Sequence, residues 1–417
     1  MEALLRTAIF KPANELVGWL LQQAAERIDA SYQPKPGERR KGRETLEVQG
    51  MFGSFRLERD YYYHPGKKHG HFPADAALGL EVSHTPALAR LICLEGADES
   101  SYHNACEHLR EVGGIELGER QVQRVVGRVG PDASLWQKRQ SAPQPCEAPV
   151  LYISADATGV PMRRELLKDR QGKAPDGTAK TRMAMLGCVF TQHKLDEQGH
   201  PVRDYQSTTY LADFLSPSDF GIGLRHEAIR RGLCFAKQTV LLIDGASGLE
   251  KLGRDYFPEA VQIVDFFHAM EHLQVLIELL IDKDHAKRIE RRRNHWKKLL
   301  LADGLERIIT RARKEALARG KVRDVEKALG YFLNNRERMR YGSFQAKGWF
   351  IGSGVIEAGC RSVIGQRCKQ SGMFWSEPGA RNILALRCIH ASHSLGDFWK
   401  DHLDARAALN DPLALVA

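Results

Sequence analysis

Apolar and polar residues change rhythm several times along this chain, and each change marks a boundary. Residues 1–30 repeat apolar side chains at helical spacing, with Leu4, Leu5, Ile9, Leu16, Trp19, Leu20 and Leu21 supplying the apolar side of one predicted helix. Residues 31–44, SYQPKPGERRKGRE, are polar and rich in proline and charge, and read as a linker. LEVQGMFGSFRLERDYYYHP predicts two strands around Gly50–Gly53, an antiparallel hairpin, with HPGKKHGHFPAD as the loop after it. Three helices fit between Thr85 and Arg128. The second, in SSYHNACEHLREVGG, opens on a serine cap and closes on a glycine pair. The third, LGERQVQRVVGRVG, is short and basic, exposing Arg120, Gln121, Gln123, Arg124 and Arg128 around Val122, Val125 and Val129. The linker SAPQPCEAP ends this region near residue 149.

Strand patterns follow. LYISADAT alternates, with Tyr152, Ser154 and Asp156 on one face and Leu151, Ile153 and Ala155 on the other. MAMLGCVFTQ and STTYLAD read as the next two strands, and PSDFGIGLRHEAIRRGL as a helix. QTVLLIDG is the near-continuous apolar run of a buried parallel strand. SGLEKLGRDYF is helical and EAVQIVDFF is a fifth strand. Three strands, helix, strand, helix, strand is the ribonuclease H-like order, a three-layer α/β domain on a mixed sheet. From Ala269 to about Arg340 the pattern is wholly helical, and SGVIEAGCRSVIGQRC and EPGARNILALRCIHASHSL supply the last helices.

This placement gives three carboxylates a common meaning. Asp156 and Asp244 each end a strand, on strands that are neighbours in the predicted sheet, and Glu357 lies in a glycine-spaced helix with Cys360 and Ile364 on its side. Such a set suits paired Mg²⁺ or Mn²⁺ ions, which prefer hard oxygen ligands and serve phosphodiester chemistry. Taken singly, each has a plainer reading: the aspartates cap turns, and the glutamate pairs with Arg361. Asp265 and His268 leave the fifth strand together near the expected rim, either shaping the site or capping the helix that begins there. Trp375 either stacks on a nucleic-acid base or packs in the core. His64, His69 and His71 lie in a loop with no accompanying cysteine and read as solvated rather than zinc-binding.

Charge adds a partner. Of a net +9, residues 281–340 alone contribute an excess of ten, with nineteen Lys/Arg against nine Asp/Glu. That concentration points to a polyanion. The third N-terminal helix, with the two before it, fits a helix-turn-helix that reads the major groove; an ordinary helical bundle is the alternative. Eight scattered cysteines without a Cys-x-x-Cys pair read as reduced and cytosolic, the N-terminus lacks signal-peptide character, and no run reaches the ~20 apolar residues of a membrane span.

The chain resembles bacterial insertion-sequence transposases of the DDE class, most closely the ISKra type, distant relatives of Mutator-like transposases. The resemblance runs from about residue 45 to 395. It is carried by DATGVPM, GTAKTRMAMLGCVFTQ, DYQSTTY, LLIDGA, IVDFFHAMEHL, YFLNNRERMRY, IGSGVIEAGCRSVIGQRCKQSGMFW and NILALRC. It implies that Asp156, Asp244 and Glu357 are the catalytic, metal-holding carboxylates, that Asp265 and His268 are the Asp-x-x-His signature, and that residues 269–340 are an all-helical insertion. One departure is visible: relatives often carry a Cys-x-x-Cys knuckle where this chain has YYYHPGKKHGHFPAD.

The resulting expectation is a ribonuclease H-like α/β catalytic domain with an all-helical insertion, preceded by an α+β DNA-binding region. Its parts are a helix and linker (1–44), a hairpin with helix-turn-helix (45–149), the core's first part (150–268), the basic insertion (269–340), and the core's second part with the C-terminal helix (341–417). Expected DNA contacts are Arg120, Gln121, Gln123 and Arg124; Arg291, Arg292 and Arg293; and Arg361, Arg367 and Lys369. Two Mg²⁺ or Mn²⁺ ions per site, terminal inverted repeats and target DNA as partners, a homodimer or higher oligomer on DNA, and a cytoplasmic, nucleoid-associated location complete it. The competing readings are a catalytically silent DNA-binding regulator and a ribonuclease H-like nuclease without strand transfer.

Overall fold

The computed structural model describes residues 1–67, 69–139, 145–163, 165, 181–282 and 284–408, leaving part of the expected linker near residue 149 outside the described residues. Two compact units result: Met1–Trp136 with Ser376–Ala417, and Gln137–Trp375.

In the first unit, helix Glu2–Ser31 packs on a hairpin of β1 (Arg39–Gly50) and β2 (Gly53–Tyr63). The expected apolar side of that helix is largely exposed, with Leu5, Ile9, Leu16, Trp19 and Leu20 each more than half accessible. Its packed stripe is smaller: Ala25 is buried with Val48 and Leu57, and a Cβ on Gly18 would stand 3.0 Å from Phe55. Leu21 and Ile28 pack against the same cluster, so the contact stripe is Gly18, Leu21, Ala25 and Ile28 at helical spacing. The predicted linker is also shorter than its composition suggests. β1 begins at Arg39, because the tyrosine-rich end of β2 pairs with it and Arg40 makes a bidentate bond to Asp60 at 2.6 and 2.7 Å.

Three helices follow, Pro86–Asp98, Tyr102–His108 and Glu119–Lys138. Ser101 Oγ accepts from Asn104 N at 3.0 Å as the second helix's cap, and a π-type turn, Leu109–Gly113, ends at Gly114 with φ +60°. The third helix is twenty residues long rather than short. Its buried seam of Val122, Val125, Val126, Val129 and Ala133 sustains it past Pro131, and Gly96 makes room for Val122 on the first. Helix Glu377–Ala391 joins this unit, with Arg387 donating to the carbonyls of Ala97 and Asp98 at 2.7 and 3.1 Å. The segment from Ser376 onward therefore clusters here, whereas the sequence reading attaches it to the sheet domain.

The second unit is a mixed α/β domain. Its strands are β3 (Val150–Pro161), β4 (Thr181–Leu195), β5 (Pro201–Arg203), β6 (Thr209–Asp213), β7 (Thr239–Ile243) and β8 (Val261–Val264). They run in the order β5-β4-β3-β7-β8, with β6 also paired to β4. β3 is antiparallel to β4 and parallel to β7, which is parallel to β8. Helices Pro217–Arg230 and Ser247–Tyr256 cover the face carrying Leu151, Ile153, Ala155, Leu241 and Ile243. Gly187 permits this: a Cβ there would meet Leu224 at 2.7 Å. The opposite face carries Tyr152, stacked on Phe190 at 5.0 Å, with its hydroxyl donating to Gln192 Oε1 at 2.6 Å. After β8 the chain is helical: Phe266–Leu280, Ala286–Leu300, Leu305–Ala318 and Val322–Asn335, each burying an apolar stripe.

Candidate active site

Ala155 of β3 is paired with Ile243 of β7, which is paired with Val264 of β8. Asp156, Asp244 and Asp265 each stand one residue beyond that rung, at the same end of three adjacent parallel strands. Parallel neighbours lie about 4.8 Å apart and alternate residues share a face, so the pleat directs all three carboxylates away from the helix-covered face. Asp156 Oδ1 accepts from its own Ala157 N at 2.7 Å, and Asp244 Oδ1 from Ala246 N at 2.9 Å. The Asp244 bond realises its turn-capping reading, but Asp156 sits inside β3, which stays paired with β4 as far as Pro161, so the expectation that it ends its strand and caps a turn is not met. The Cys360 thiol lies 3.5 Å from Asp156 Oδ2, and burial raises its pKa.

Asp265 is fully buried and organises the row's end. Its Oδ1 accepts from His268 N at 2.7 Å, capping helix Phe266–Leu280, and lies 3.1 Å from His268 Nδ1. Its Oδ2 accepts from Ser353 N at 2.5 Å. Burial opposes the Asp265 charge, but these hydrogen bonds outweigh it and hold the carboxyl pKa below its ordinary value. The hydrogen bond it donates to Asp265 raises the His268 pKa to about 9, so the imidazole is protonated at neutral pH. Ser353 also donates from Oγ to Glu357 Oε1 at 2.8 Å. One serine thus ties the glutamate to the Asp265 cap.

The structure gathers Asp265, His268 and Glu357, whose ligand atoms all lie within 4.8 Å of one another. No such group of three among the described residues includes Asp156 or Asp244, which join the site through the strand row instead. A row of aspartates each following a short strand-like run was visible as ISAD, LLID and QIVD; Ser353 carried no comparable signal.

The Glu357 helix is short. It runs Gly354–Gly359 and widens into a π-type turn at Cys360–Gly365, a distortion frequent at functional sites. Gly359 permits its approach to the sheet, since a Cβ would stand 2.7 Å from Tyr210 and 3.0 Å from Leu186. Arg361 is exposed beside it. Lys369 is exposed too, its Nζ hydrogen-bonded to Thr158 Oγ1, two residues along β3 from Asp156. Arg367 departs from the expected DNA-contact set: it is 1% exposed and lies over the Trp375 ring at 5.0 Å. Trp375 is itself buried, with Nε1 donating to Cys368 O, so of its two readings the core one holds.

No protein-family model and no curated protein matches the sequence. Among solved structures, the Drosophila P element transposase strand transfer complex is similar over 81% of this chain and 81% of its own, at 11% identity and a TM-score of 0.26.

The other expected contact residues divide by burial. Arg120, Gln123 and Arg124 are exposed on helix Glu119–Lys138, but Gln121 is half-buried and its Oε1 accepts from Gly118 N at 2.8 Å, closing the start of its own helix. Arg291 and Arg293 are exposed. Arg292 is not free to reach a ligand: it bonds Glu315 at 3.1 Å and lies over Trp296 at 5.0 Å. Two of the three loop histidines have separate partners, His64 on Pro36 O and His71 on the Tyr32 hydroxyl. All eight cysteines are free thiols, and no helix among the described residues is long and apolar enough to cross a membrane.

Proposed function

We propose that this protein is a DNA transposase of the DDE class, of the ISKra type, using a divalent metal on a ribonuclease H-like core to cut element ends and join them to target DNA. The observation that carries the reading is the row Asp156, Asp244 and Asp265 one step past a shared rung, with Glu357 tied to the row's end through Ser353. The donor set fits Mg²⁺ or Mn²⁺: it is anionic, made of hard oxygens, and accompanied by a single imidazole. Asp156, Asp244 and Glu357 are assigned as the residues that would hold two ions. Bound there, the pair would supply charge stabilisation to the attacking and leaving oxygens of an in-line phosphoryl transfer.

The chain's own residues do the remaining work. Asp265 is already committed to capping and to Ser353, so it serves as the anchor that orients Glu357. Protonated His268 and exposed Lys369 place positive charge beside the carboxylates, suited to incoming phosphates. The cations of helix Ala286–Leu300, among them Arg291 and Arg293, are assigned to duplex phosphates, and helix Glu119–Lys138 to the terminal repeats. A homodimer or higher oligomer assembled on the two ends follows from the need to handle both.

A duplex carrying a pre-cut element end with a free 3′-hydroxyl tests this. With Mg²⁺, a transposase joins that strand to a second duplex. A nuclease cuts without joining, and a silent regulator binds without doing either; both outcomes reject the proposal.

A further inference from the structure

Helix Val322–Asn335 sends one side chain to the carboxylate row. Tyr331 lies over the turn just after Asp244, where a Cβ on Gly245 would stand 2.4 Å from its ring. Only glycine leaves room for the ring there. His272, from helix Phe266–Leu280, stacks on the ring with centroids 3.5 Å apart and planes 14° from parallel. The ring is thus held by two separate contacts. Its hydroxyl is buried and has no hydrogen-bond partner. Buried polar groups are nearly always bonded, so an orphan held this firmly marks a place where a partner is supplied from outside the fold. The charges that act most strongly on this phenol are those of Asp244 and Asp265. It faces the row.

We infer that Tyr331 is a positioning residue of this centre: its hydroxyl donates a hydrogen bond to an oxygen that arrives with a divalent cation, either a water or a phosphate. The inference rests on the metal-dependent reading of the site and deepens it. It also gives the helical segment a role inside the centre, beyond holding DNA. A phenol is the suitable donor, because it carries one O–H on a rigid ring and stays un-ionised beside carboxylates, where burial and their charge hold its pKa above the ordinary value.

Tyr331→Phe removes the hydroxyl and keeps the ring, the His272 stack and the fit against Gly245. Three measurements are made on the full chain: urea unfolding in chelator, Mn²⁺ binding by calorimetry, and affinity for a terminal duplex with and without Mn²⁺. Without cation, Tyr331→Phe should be at least as stable as wild type, because the lost hydroxyl had no partner. If the oxygen is a water, Mn²⁺ alone should bind about fivefold more weakly, the worth of one neutral hydrogen bond. If it is a phosphate, Mn²⁺ alone should bind equally and the fivefold loss should appear only with duplex and Mn²⁺ together. Loss of stability in chelator with every affinity unchanged would make Tyr331 a structural residue and overturn the inference. Wild type that binds no Mn²⁺ would instead bring down the metal reading, and this inference with it.

Discussion

Asp265→Asn probes the anchor of the site without touching the three residues assigned to the metals. The side chain is fully buried, so its hydrogen bonds are not exchanged for water bonds when it is altered. The amide keeps the shape but replaces one carboxylate oxygen with a donor, which must face either His268 N–H or Ser353 N–H. One bond to a charged acceptor is lost, at about 1.5–3 kcal/mol, and the helix cap is weakened by about 1 kcal/mol. A total of about 2.5–4 kcal/mol is expected below neutral pH. Part of it is the His268–Asp265 attraction. The rise of the His268 pKa to about 9, discounted because the ring is 37% exposed, corresponds to about 1–2 kcal/mol. The sign follows from the direction of the shift. A pKa raised on folding contributes stability that is complete below the unfolded value near 6.5 and vanishes as pH rises through about 9. Wild type should therefore lose this 1–2 kcal/mol between pH 6.5 and 9.5, and Asp265→Asn should not. Urea unfolding in chelator at the two pH values measures both curves. A gap between wild type and mutant that stays constant from pH 6.5 to 9.5 would refute the pairing.

Three further outcomes are expected. Asp156→Asn, Asp244→Asn and Glu357→Gln should each abolish cleavage and joining while duplex binding persists; near-normal Mg²⁺-dependent cleavage by any of them removes that residue from the set. Arg291→Ala with Arg293→Ala should weaken all duplexes alike and reduce the salt-dependence slope by up to about 0.9 per lost contact, whereas Arg292→Ala should act on stability through Glu315 and Trp296. Gln123→Ala or Arg124→Ala should lower the preference for the terminal repeat over a scrambled duplex by about 1–3 kcal/mol, with Gln121→Ala affecting the helix start instead. Equal wild-type and mutant preference in competition binding would move end recognition elsewhere.

Local patterning made much of this legible. Alternation in LYISADAT places Asp156 opposite Leu151, Ile153 and Ala155, and the apolar run in QTVLLIDG places Asp244 just past a strand end, because a pleated strand fixes which residues share a face; that β3 runs on beyond Asp156 to Pro161 was decided by its pairing with β4. The charge excess in residues 281–340 is likewise a property of composition alone. Long-range packing decided the rest. Arg367 and Arg361 look equivalent in the sequence, yet one is buried against Trp375 and the other exposed, because the ring that covers Arg367 comes from a later segment whose packing no local pattern fixes. Leu5, Ile9, Leu16, Trp19 and Leu20 of the first helix face outward because the stripe that meets the hairpin is Gly18, Leu21, Ala25 and Ile28. Residues after Ser376 side with the N-terminal unit through Arg387, a partner nearly 290 positions away that no local window contains. Tyr331 and Ser353 gave no local signal at all. Their meaning depends on what a separate element brings beside them, and only the folded chain supplies that neighbour.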